Sequence, residues 1–328
     1  MGRVLLVSSY PPRHCGIGAY AHAMAGRLKD EGEVVTIISP PDGDGDVRVP
    51  FGGGRPFFRA ARMGETFDRI VVHFQPSLYY RPRAPVSKIA TSLGLLWLVL
   101  RRRQTEVLVH EADRPTLWRP DYFLLRIAFA RAALLFHTDA ERRALERAYR
   151  VHVRARLIPH TGGIKATAIS REEARRLVGI GDDEVVFLCA GFVHPDKGFE
   201  RAAEAFARAG SPGRLVIVGS IRDPVPANLS YLNRLRQMAS QTPGVALIED
   251  YLSDEEFDAW IAAADRVVLP YRRSWSSGAL ARCQALGTPA IVTAVGGLAE
   301  QAGPRDLVVG NDDELAEALS RSPAAARG

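Results

Sequence analysis

Short apolar runs alternate along this chain with longer segments in which apolar residues recur every three or four positions. The runs predict buried strands, and the longer segments, such as Gly18–Glu31, predict helices that cover them. In the first half, the predicted strands are Arg3–Ser9, Val34–Ser39, Asp68–Phe74, Glu106–His110, Ala133–His137 and Arg156–Pro159. Regular alternation of strand and helix predicts an α/β fold, in which helices cover both faces of a parallel sheet.

The same pattern starts again after a polar connector near residues 160–168. The predicted strands of the second half are Glu184–Ala190, Arg214–Gly219, Val245–Glu249, Arg266–Leu269 and Pro289–Thr293. Its predicted helices are Arg171–Val178, Gly198–Ala209, Leu229–Ser240, Asp254–Ala264, Gly278–Leu286 and 312–320. Two successive α/β units predict two Rossmann-like domains, 1–165 and 166–328.

Loops are the places to look for chemistry, because ligands of open parallel sheets bind beyond the carboxyl ends of the strands. In a two-domain protein those ends can face one another across a central cleft, and we expect that arrangement here. Residues 40–56 are rich in Gly, Pro and Asp, which predicts a flexible surface loop.

Composition and charge narrow the class of protein. The chain has 328 residues, of which 47% are hydrophobic and 24% charged, as in globular proteins. Its longest apolar segment, Ile89–Leu100, has about a dozen residues, whereas a membrane-spanning helix needs roughly 20. Three distant cysteines predict a reducing compartment without disulfides, so we expect a cytoplasmic protein. No His or Cys spacing resembles a metal site, and we expect no metal.

The two halves carry opposite net charges. Residues 1–165 hold 26 Lys and Arg against 15 Asp and Glu, a net +11, whereas residues 166–328 hold 17 against 22, a net −5. A basic half predicts an anionic partner. Nucleic acid is one possible partner, although no nucleic-acid motif is present, and an anionic membrane surface or a phosphorylated substrate fits equally well. Solvated arginines on outer helices are the alternative. Among the anionic partners, the one that we predict is the inner face of a membrane, in peripheral contact, and we predict no nucleic acid.

Two loops join a strand to a helix in a way that suits phosphate. In the first, which runs from Tyr10 to Tyr20, Gly16 and Gly18 allow the backbone to approach a ligand beside a helix N-terminus. A plain turn is the alternative. In the second, Lys197 stands at a predicted helix start, where a cation is unfavourable unless it binds an anion. An exposed surface lysine is the alternative.

Two further loops carry polar candidates. Ser276, Ser277 and Gly278 precede a predicted helix, so hydroxyls and free N–H groups could hold a phosphate, or the serines could simply cap the helix. A predicted strand also ends at His110, which would place this side chain at the edge of the cleft. The carboxylates of Glu111 and Asp113 follow it in the chain. A structural histidine is the alternative reading.

Six segments together resemble a known family. The chain is similar to the GT-B glycosyltransferases of family four, in the branch with a GFxHPxKG motif. The segments, in chain order, are YPPRHCGIGAYAHAMAGRL, VLVHEADRP, LLFHTDAERRAL, IPHTGG, GFVHPDKGFERAAEAF and PYRRSWSSGALARCQALGTPAIVTAVGGLAE. They cover nearly the whole chain. The resemblance implies a GT-B fold, with acceptor binding by the first domain and nucleotide-sugar binding by the second.

The resemblance also implies roles for residues. It assigns catalysis to His110 and Lys197, and the donor diphosphate to Lys197 with two groups of loop residues. Those loop residues are Gly16, Gly18, Ser276, Ser277 and Gly278. It places the nucleotide beside Gly219, Tyr251, Leu252 and Glu256. It places the acceptor beside Tyr10, Arg13 and Tyr20.

The implied activity is that of a retaining, metal-independent hexosyltransferase without a cofactor. It would move a sugar from a nucleotide-diphosphate sugar to a glycan, lipid-linked or small-molecule acceptor, as in polysaccharide biosynthesis. Two departures stand out. Where many members have two glutamates eight residues apart, this chain has Ser274 and Arg282, and the family arginine of the GRL motif is Phe192. These departures leave an alternative, a non-catalytic GT-B subunit that binds a nucleotide sugar or a glycan.

Overall fold

A computed structural model describes residues 1–80, 84–111, 119–164, 166–211 and 213–321. Contacts between residues divide the chain into two compact units, Met1–Gly163 (unit 1) and Ile164–Gly328 (unit 2). Each unit contains one parallel sheet with helices around it, which confirms the predicted α/β class and two Rossmann-like units. Within the described ranges, no helix combines the length and the hydropathy that a bilayer crossing requires.

Unit 1 contains a seven-stranded sheet in the order β3-β2-β1-β4-β5-β6-β7. The strands are β1 Arg3–Val7, β2 Val34–Ser39, β3 Val47–Arg48, β4 Arg69–Phe74, β5 Thr105–Val109, β6 Ala133–Phe136 and β7 Arg154–Leu157. The helices are α1 Gly16–Asp30, α2 Arg55–Met63, α3 Pro76–Tyr79, α4 Pro85–Arg101, α5 Pro120–Arg131 and α6 Asp139–Tyr149. The order reverses between β1 and β4, and such a switch point opens a crevice at the carboxyl ends of the strands.

Unit 2 contains a six-stranded sheet in the order β10-β9-β8-β11-β12-β13. The strands are β8 Val186–Ala190, β9 Arg214–Val218, β10 Val245–Ile248, β11 Arg266–Leu269, β12 Ala290–Thr293 and β13 Leu307–Val309. The helices are α7 Arg171–Val178, α8 Phe199–Ala209, α9 Pro226–Gln241, α10 Asp254–Ala263, α11 Gly278–Leu286, α12 Leu298–Gln301 and α13 Asp312–Ser320. Strand order reverses between β8 and β11, so the loops after these two strands flank the switch point.

Buried apolar residues explain why the strands were predictable. Residues 186–190 of β8 are all buried, because a central parallel strand is covered on both faces. Alternate residues of β8 therefore belong to two apolar clusters, one on each face of the unit 2 sheet. Phe187 and Cys189 belong to one cluster, and Val186 and Leu188 belong to the other.

Residues 40–56, predicted to be a flexible surface loop, contain a short strand and packed residues. Val47–Arg48 pairs with β2, the Ser39 hydroxyl donates to the Gly43 carbonyl at 3.1 Å, and Phe51 is buried. A Cβ on Gly54 would lie 2.4 Å from the Ala90 carbonyl oxygen of α4. The glycines therefore serve close packing and turns, although their composition is also typical of mobile loops.

Candidate functional site

In unit 2, the loop after β8 holds Lys197 against the loop after β11. Lys197 ends a short 3-10 helix, Pro195–Lys197, and its Nζ lies 4.0 Å from the centroid of the Tyr271 ring. The Arg272 backbone N–H donates to the Asp196 carbonyl at 2.8 Å. Gly198 has a φ of +63°, and a Cβ there would lie 2.2 Å from the Pro270 carbonyl oxygen. These contacts hold the two loops together, and Lys197 is partly exposed where the loops meet.

The start of α11 supplies backbone N–H groups at the same end of the sheet. Ser277 caps the helix, because its hydroxyl accepts from the Leu280 N–H at 3.2 Å. Its own backbone N–H donates to the Gln301 side chain at 2.8 Å, and Ser277 is 3% exposed. The capping alternative therefore describes Ser277. Gly278 is exposed and Ser276 partly exposed, so these two remain accessible to a ligand.

Gly219 is needed for packing between neighbouring strand ends. A Cβ on Gly219 would lie 1.8 Å from the carbonyl oxygen of Gly191, so the loops after β8 and β9 touch backbone to backbone. The Gly219 N–H also donates to the Ile248 carbonyl at 3.0 Å. These contacts explain why position 219 is a glycine, and the explanation does not require a bound nucleotide.

Aromatic side chains cluster where the resemblance places the nucleotide base. Tyr251 is 44% exposed, and its ring centroid lies 6.3 Å from that of Phe192. The Arg222 guanidinium lies 5.7 Å from the Phe192 centroid. Glu256 instead completes a capping box with Ser253, whose N–H it accepts at 2.8 Å, and that bond lowers the pKa of the Glu256 carboxyl. Leu252 packs on the core below the loop.

Ser274 and Arg282, the two departures from the sequence resemblance, have structural partners. Arg282 donates to Asp258 at 2.6 Å and forms an ion pair with Asp254 at 2.7 Å, both on α10. Asp258 is fully buried and also accepts from the Thr167 N–H at 2.8 Å. The Ser274 hydroxyl donates to the Ser276 carbonyl at 2.8 Å, within the loop. Arg282 therefore connects α11 to α10.

In unit 1, the glycine-rich loop leads from β1 into α1. Gly16 is exposed with open space around it, whereas a Cβ on Gly18 would lie 3.4 Å from the Ser9 Oγ. Tyr10 is 8% exposed, and its hydroxyl lies 3.0 Å from the His22 Nδ1. Arg13 forms an exposed ion pair with Asp42 at 3.3 Å. Of the three residues predicted on the acceptor side, only Arg13 is well exposed.

The structure assembles four histidines around Tyr20, the third of those residues. His73 belongs to β4, while His110, His137 and His160 follow β5, β6 and β7. Their ring centroids lie 5.2–5.6 Å from that of Tyr20. We call these five residues the histidine cluster. Because the strands are parallel, their carboxyl ends bring the cluster to one edge of the sheet, close to the switch point.

Burial makes the histidine cluster neutral. It lowers the pKa of His73 and His160 from 6.5 to about 3 and that of His137 to about 4. It also lowers the pKa of His110 far below that value, with the neighbouring histidines adding to the effect. Burial raises the Tyr20 pKa to about 12. Neutral rings avoid the cost of burying charge.

Polar atoms without partners accompany the histidine cluster. Within the described residues, six buried atoms here have no hydrogen-bond partner: Ser8 Oγ, Ser9 Oγ, His73 Nδ1, His110 Nε2, His137 Nε2 and His160 Nδ1. Buried polar groups normally have partners, so this concentration beside the switch point makes the histidine cluster a candidate site for a polar ligand. Asp113, which was grouped with His110, lies outside the described residues. Among the described residues, no His, Cys, Asp and Glu group has metal-binding geometry.

Sequence reasoning identified His110 and Tyr20 but missed His73, His137 and His160. A signal was present, because a histidine closes or follows four successive apolar runs: VVHF, VLVH, LLFH and LIPH. Sequence reasoning also missed Phe192 as a neighbour of Tyr251 and Arg222 as a neighbour of Phe192, since nothing in the spacing joins three separate loops.

Known proteins share both the pattern of unit 2 and the overall fold. Residues 184–322 match the family described as Glycosyl transferases group 1. A D-inositol 3-phosphate glycosyltransferase from a Nocardioides species is 32% identical over 168 residues, 46% of this chain and 36% of that protein. The match thus spans about a third of that relative.

Solved structures of other proteins align with almost the whole chain. Sucrose-phosphate synthase from Thermosynechococcus elongatus aligns with a TM-score of 0.71 at 19% identity, covering 100% of this chain and 92% of that one. HepE from Anabaena, in complex with UDP-glucose, aligns with a TM-score of 0.68 at 14% identity, covering 97% and 89%. At these identities the likeness concerns the fold, which is that of GT-B glycosyltransferases.

Proposed function

We propose that this chain is a family-four glycosyltransferase that moves a hexose from a nucleotide-diphosphate sugar to a glycan, lipid-linked or small-molecule acceptor. The observation that carries the proposal is the match of residues 184–322 to Glycosyl transferases group 1. That range contains the loops after β8, β9, β10 and β11, where a donor would bind. We further propose a retaining reaction without metal or cofactor, as the sequence resemblance implies.

In this proposal unit 2 binds the donor. Lys197 leaves the face of Tyr271 and pairs with the diphosphate, since a phosphate outcompetes an aromatic ring for an ammonium group. N–H groups at the start of α11 add to the stabilisation of the leaving diphosphate. The base lies beside Tyr251 and Phe192. A uridine nucleotide is the first candidate, because HepE of similar fold was solved with UDP and UDP-glucose.

Unit 1 binds the acceptor and presents His110. A neutral imidazole carries one N–H donor and one acceptor nitrogen, so His110 can bond a sugar hydroxyl with its buried, unpartnered Nε2. The acceptor panel includes inositol 3-phosphate, because the name of a relative contains that substrate.

One observation favours the alternative, a non-catalytic subunit that binds a nucleotide sugar or a glycan. Where the sequence resemblance implies a glutamate for the donor ribose, this chain has Arg282, which pairs with Asp254 and Asp258. Such a subunit would bind the nucleotide sugar without turning it over.

The experiment combines binding and turnover. Calorimetry with UDP, GDP and ADP, followed by their sugars, identifies the donor. Mass spectrometry then detects transfer to candidate acceptors or slow hydrolysis, with EDTA present to test the metal and with NMR of the product anomer to test retention. Donor binding with neither transfer nor hydrolysis would favour the binding subunit. Absence of binding by every nucleotide sugar would refute both the transferase and a subunit that binds a nucleotide sugar, and would leave a glycan-binding subunit.

A further inference from the structure

Three helices of unit 1 cover the same face of its sheet. The chain passes from β3 to β4 through α2, from β4 to β5 through α4, and from β5 to β6 through α5. All three crossovers advance in the same direction along the sheet, as does the crossover from β6 to β7 through α6, and right-handed crossovers with one direction lie on one face. Contacts of α4 with both α2 and α5 place α4 in the middle.

The outward side of α4 is apolar. Val86, Leu93, Trp97 and Leu100 are 76%, 47%, 51% and 52% exposed. Their spacing of seven, four and three places them in one narrow stripe, about 21 Å long at the usual helical rise. The core takes the opposite side, where Leu95, Leu98 and Val99 are buried. The residues of the stripe therefore do not contribute to the packing of the core.

The outward side of α5 continues this apolar surface. Phe123 and Ile127, one turn apart, are 39% and 44% exposed, while Leu125 and Phe129 are buried beneath them. Since α5 packs beside α4 on the same sheet face, both exposed stripes point away from that sheet. Among the described residues of unit 1, the other exposed large hydrophobics lie outside these helices: Met1, Val34 and Leu157.

Arginines surround this apolar surface. Arg55, Arg59 and Arg62 are exposed along one side of α2, Arg101 and Arg103 at the end of α4, and Arg126 and Arg131 on α5. In the described part of the chain, none of these seven guanidinium groups has an ion pair or a hydrogen bond. The three helices hold one acidic residue, Asp121, which pairs with Arg119.

We propose that this face, the outward surface of α2, α4 and α5, docks unit 1 on an anionic lipid bilayer. Trp97 and the leucines would enter the headgroup boundary, while the arginines bind lipid phosphates. A second copy fits worse, because a two-fold contact would set the same unpaired arginines against one another. Nucleic acid fits worse, because an aliphatic stripe offers no base contacts. This proposal does not rest on the proposed transferase activity.

The test measures co-sedimentation with vesicles of phosphatidylcholine, alone or mixed with phosphatidylglycerol, at low and high salt. We expect binding to the anionic vesicles at low salt and its loss at high salt, since salt screens exposed charges. Each basic residue near the surface contributes on the order of fivefold, so a triple Gln variant at Arg55, Arg59 and Arg62 should partition about 100-fold less. Leu93→Ser should also weaken binding.

Matched variants in unit 2 are the controls. A triple Gln variant at Arg208, Arg234 and Arg236 removes the same charge from exposed, ion-paired positions, and Leu177→Ser removes a leucine that is 66% exposed. Both should bind vesicles like the unchanged protein, and all variants should unfold at similar temperatures. Equal losses in test and control variants, equal binding to neutral vesicles, or no binding at low salt would overturn the proposal. So would a wild-type dimer that Leu93→Ser dissociates. Nucleotide binding, measured in parallel, reports separately on the transferase proposal.

Discussion

Acidification should destabilise unit 1 strongly, because the histidine cluster is neutral when folded. A histidine in the unfolded chain has a pKa of about 6.5, whereas burial lowers the folded values to about 3 for His73 and His160 and to about 4 for His137. Below pH 6.5 the unfolded state therefore binds protons that the folded state does not. The stability is complete above pH 6.5 and is lost progressively as the pH falls toward the folded values.

The magnitude follows from linkage. At about pH 5.5, one pH unit below the unfolded pKa, each such histidine favours unfolding by about 1.4 kcal/mol. With His110, whose pKa is also far below 6.5, four residues contribute up to about 6 kcal/mol. That is comparable to the whole stability of many domains. Glu141, a carboxylate whose charge acts on Tyr20 of the cluster, accepts from the backbone N–H groups of His137 and Thr138.

The assay is urea unfolding between about pH 7.5 and pH 5.5, with hydrogen exchange of unit 1 peptides to separate the two units. Replacing His160 and His137 with Gln should roughly halve the pH dependence, whereas His194→Gln, a change at a half-exposed side chain of unit 2, should leave it intact. NMR titration reads the rings directly. Cluster resonances that titrate near pH 6.5, or unit 1 stability that does not change over this range, would refute the reasoning.

Four substitutions test the remaining assignments. Lys197→Ala should weaken nucleotide binding by about 1.5–3 kcal/mol in calorimetry, as expected for a charged hydrogen bond, and unchanged affinity would exclude a diphosphate contact. His110→Gln, which keeps most of the volume of the packed ring, should keep the melting temperature within a few degrees while transfer falls sharply; full transfer would make the residue structural. Gly219→Ala should cost about 1–3 kcal/mol in urea unfolding, because its Cβ would lie 1.8 Å from a carbonyl oxygen, and a neutral effect would contradict that contact. Arg282→Gln should cost about 3–5 kcal/mol, because Asp258 is buried and loses its cation; retained stability would show the pair to be dispensable.

Local pattern was sufficient for most of the fold. Val34–Ser39, Arg171–Val178, Arg266–Leu269 and Gly278–Leu286 have the predicted bounds, since uninterrupted apolar runs and capping residues are local signals. The edge strand Val47–Arg48 escaped prediction, because a two-residue strand has no periodicity of its own. Glycine was also ambiguous, because the same residue serves a mobile loop and the close approach of two backbones.

The sequence by itself determined the α/β class, the two units and the loops in which polar residues follow strands, because each depends on residues near one another in the chain. Only the tertiary structure decided what those residues contact. It placed four histidines from separate strand ends around Tyr20, and it paired Arg282 with Asp254 and Asp258. It also decided which of the described arginines pair with a carboxylate and which do not. Strand order and helix packing set these distances between residues far apart in sequence, and no local pattern records them.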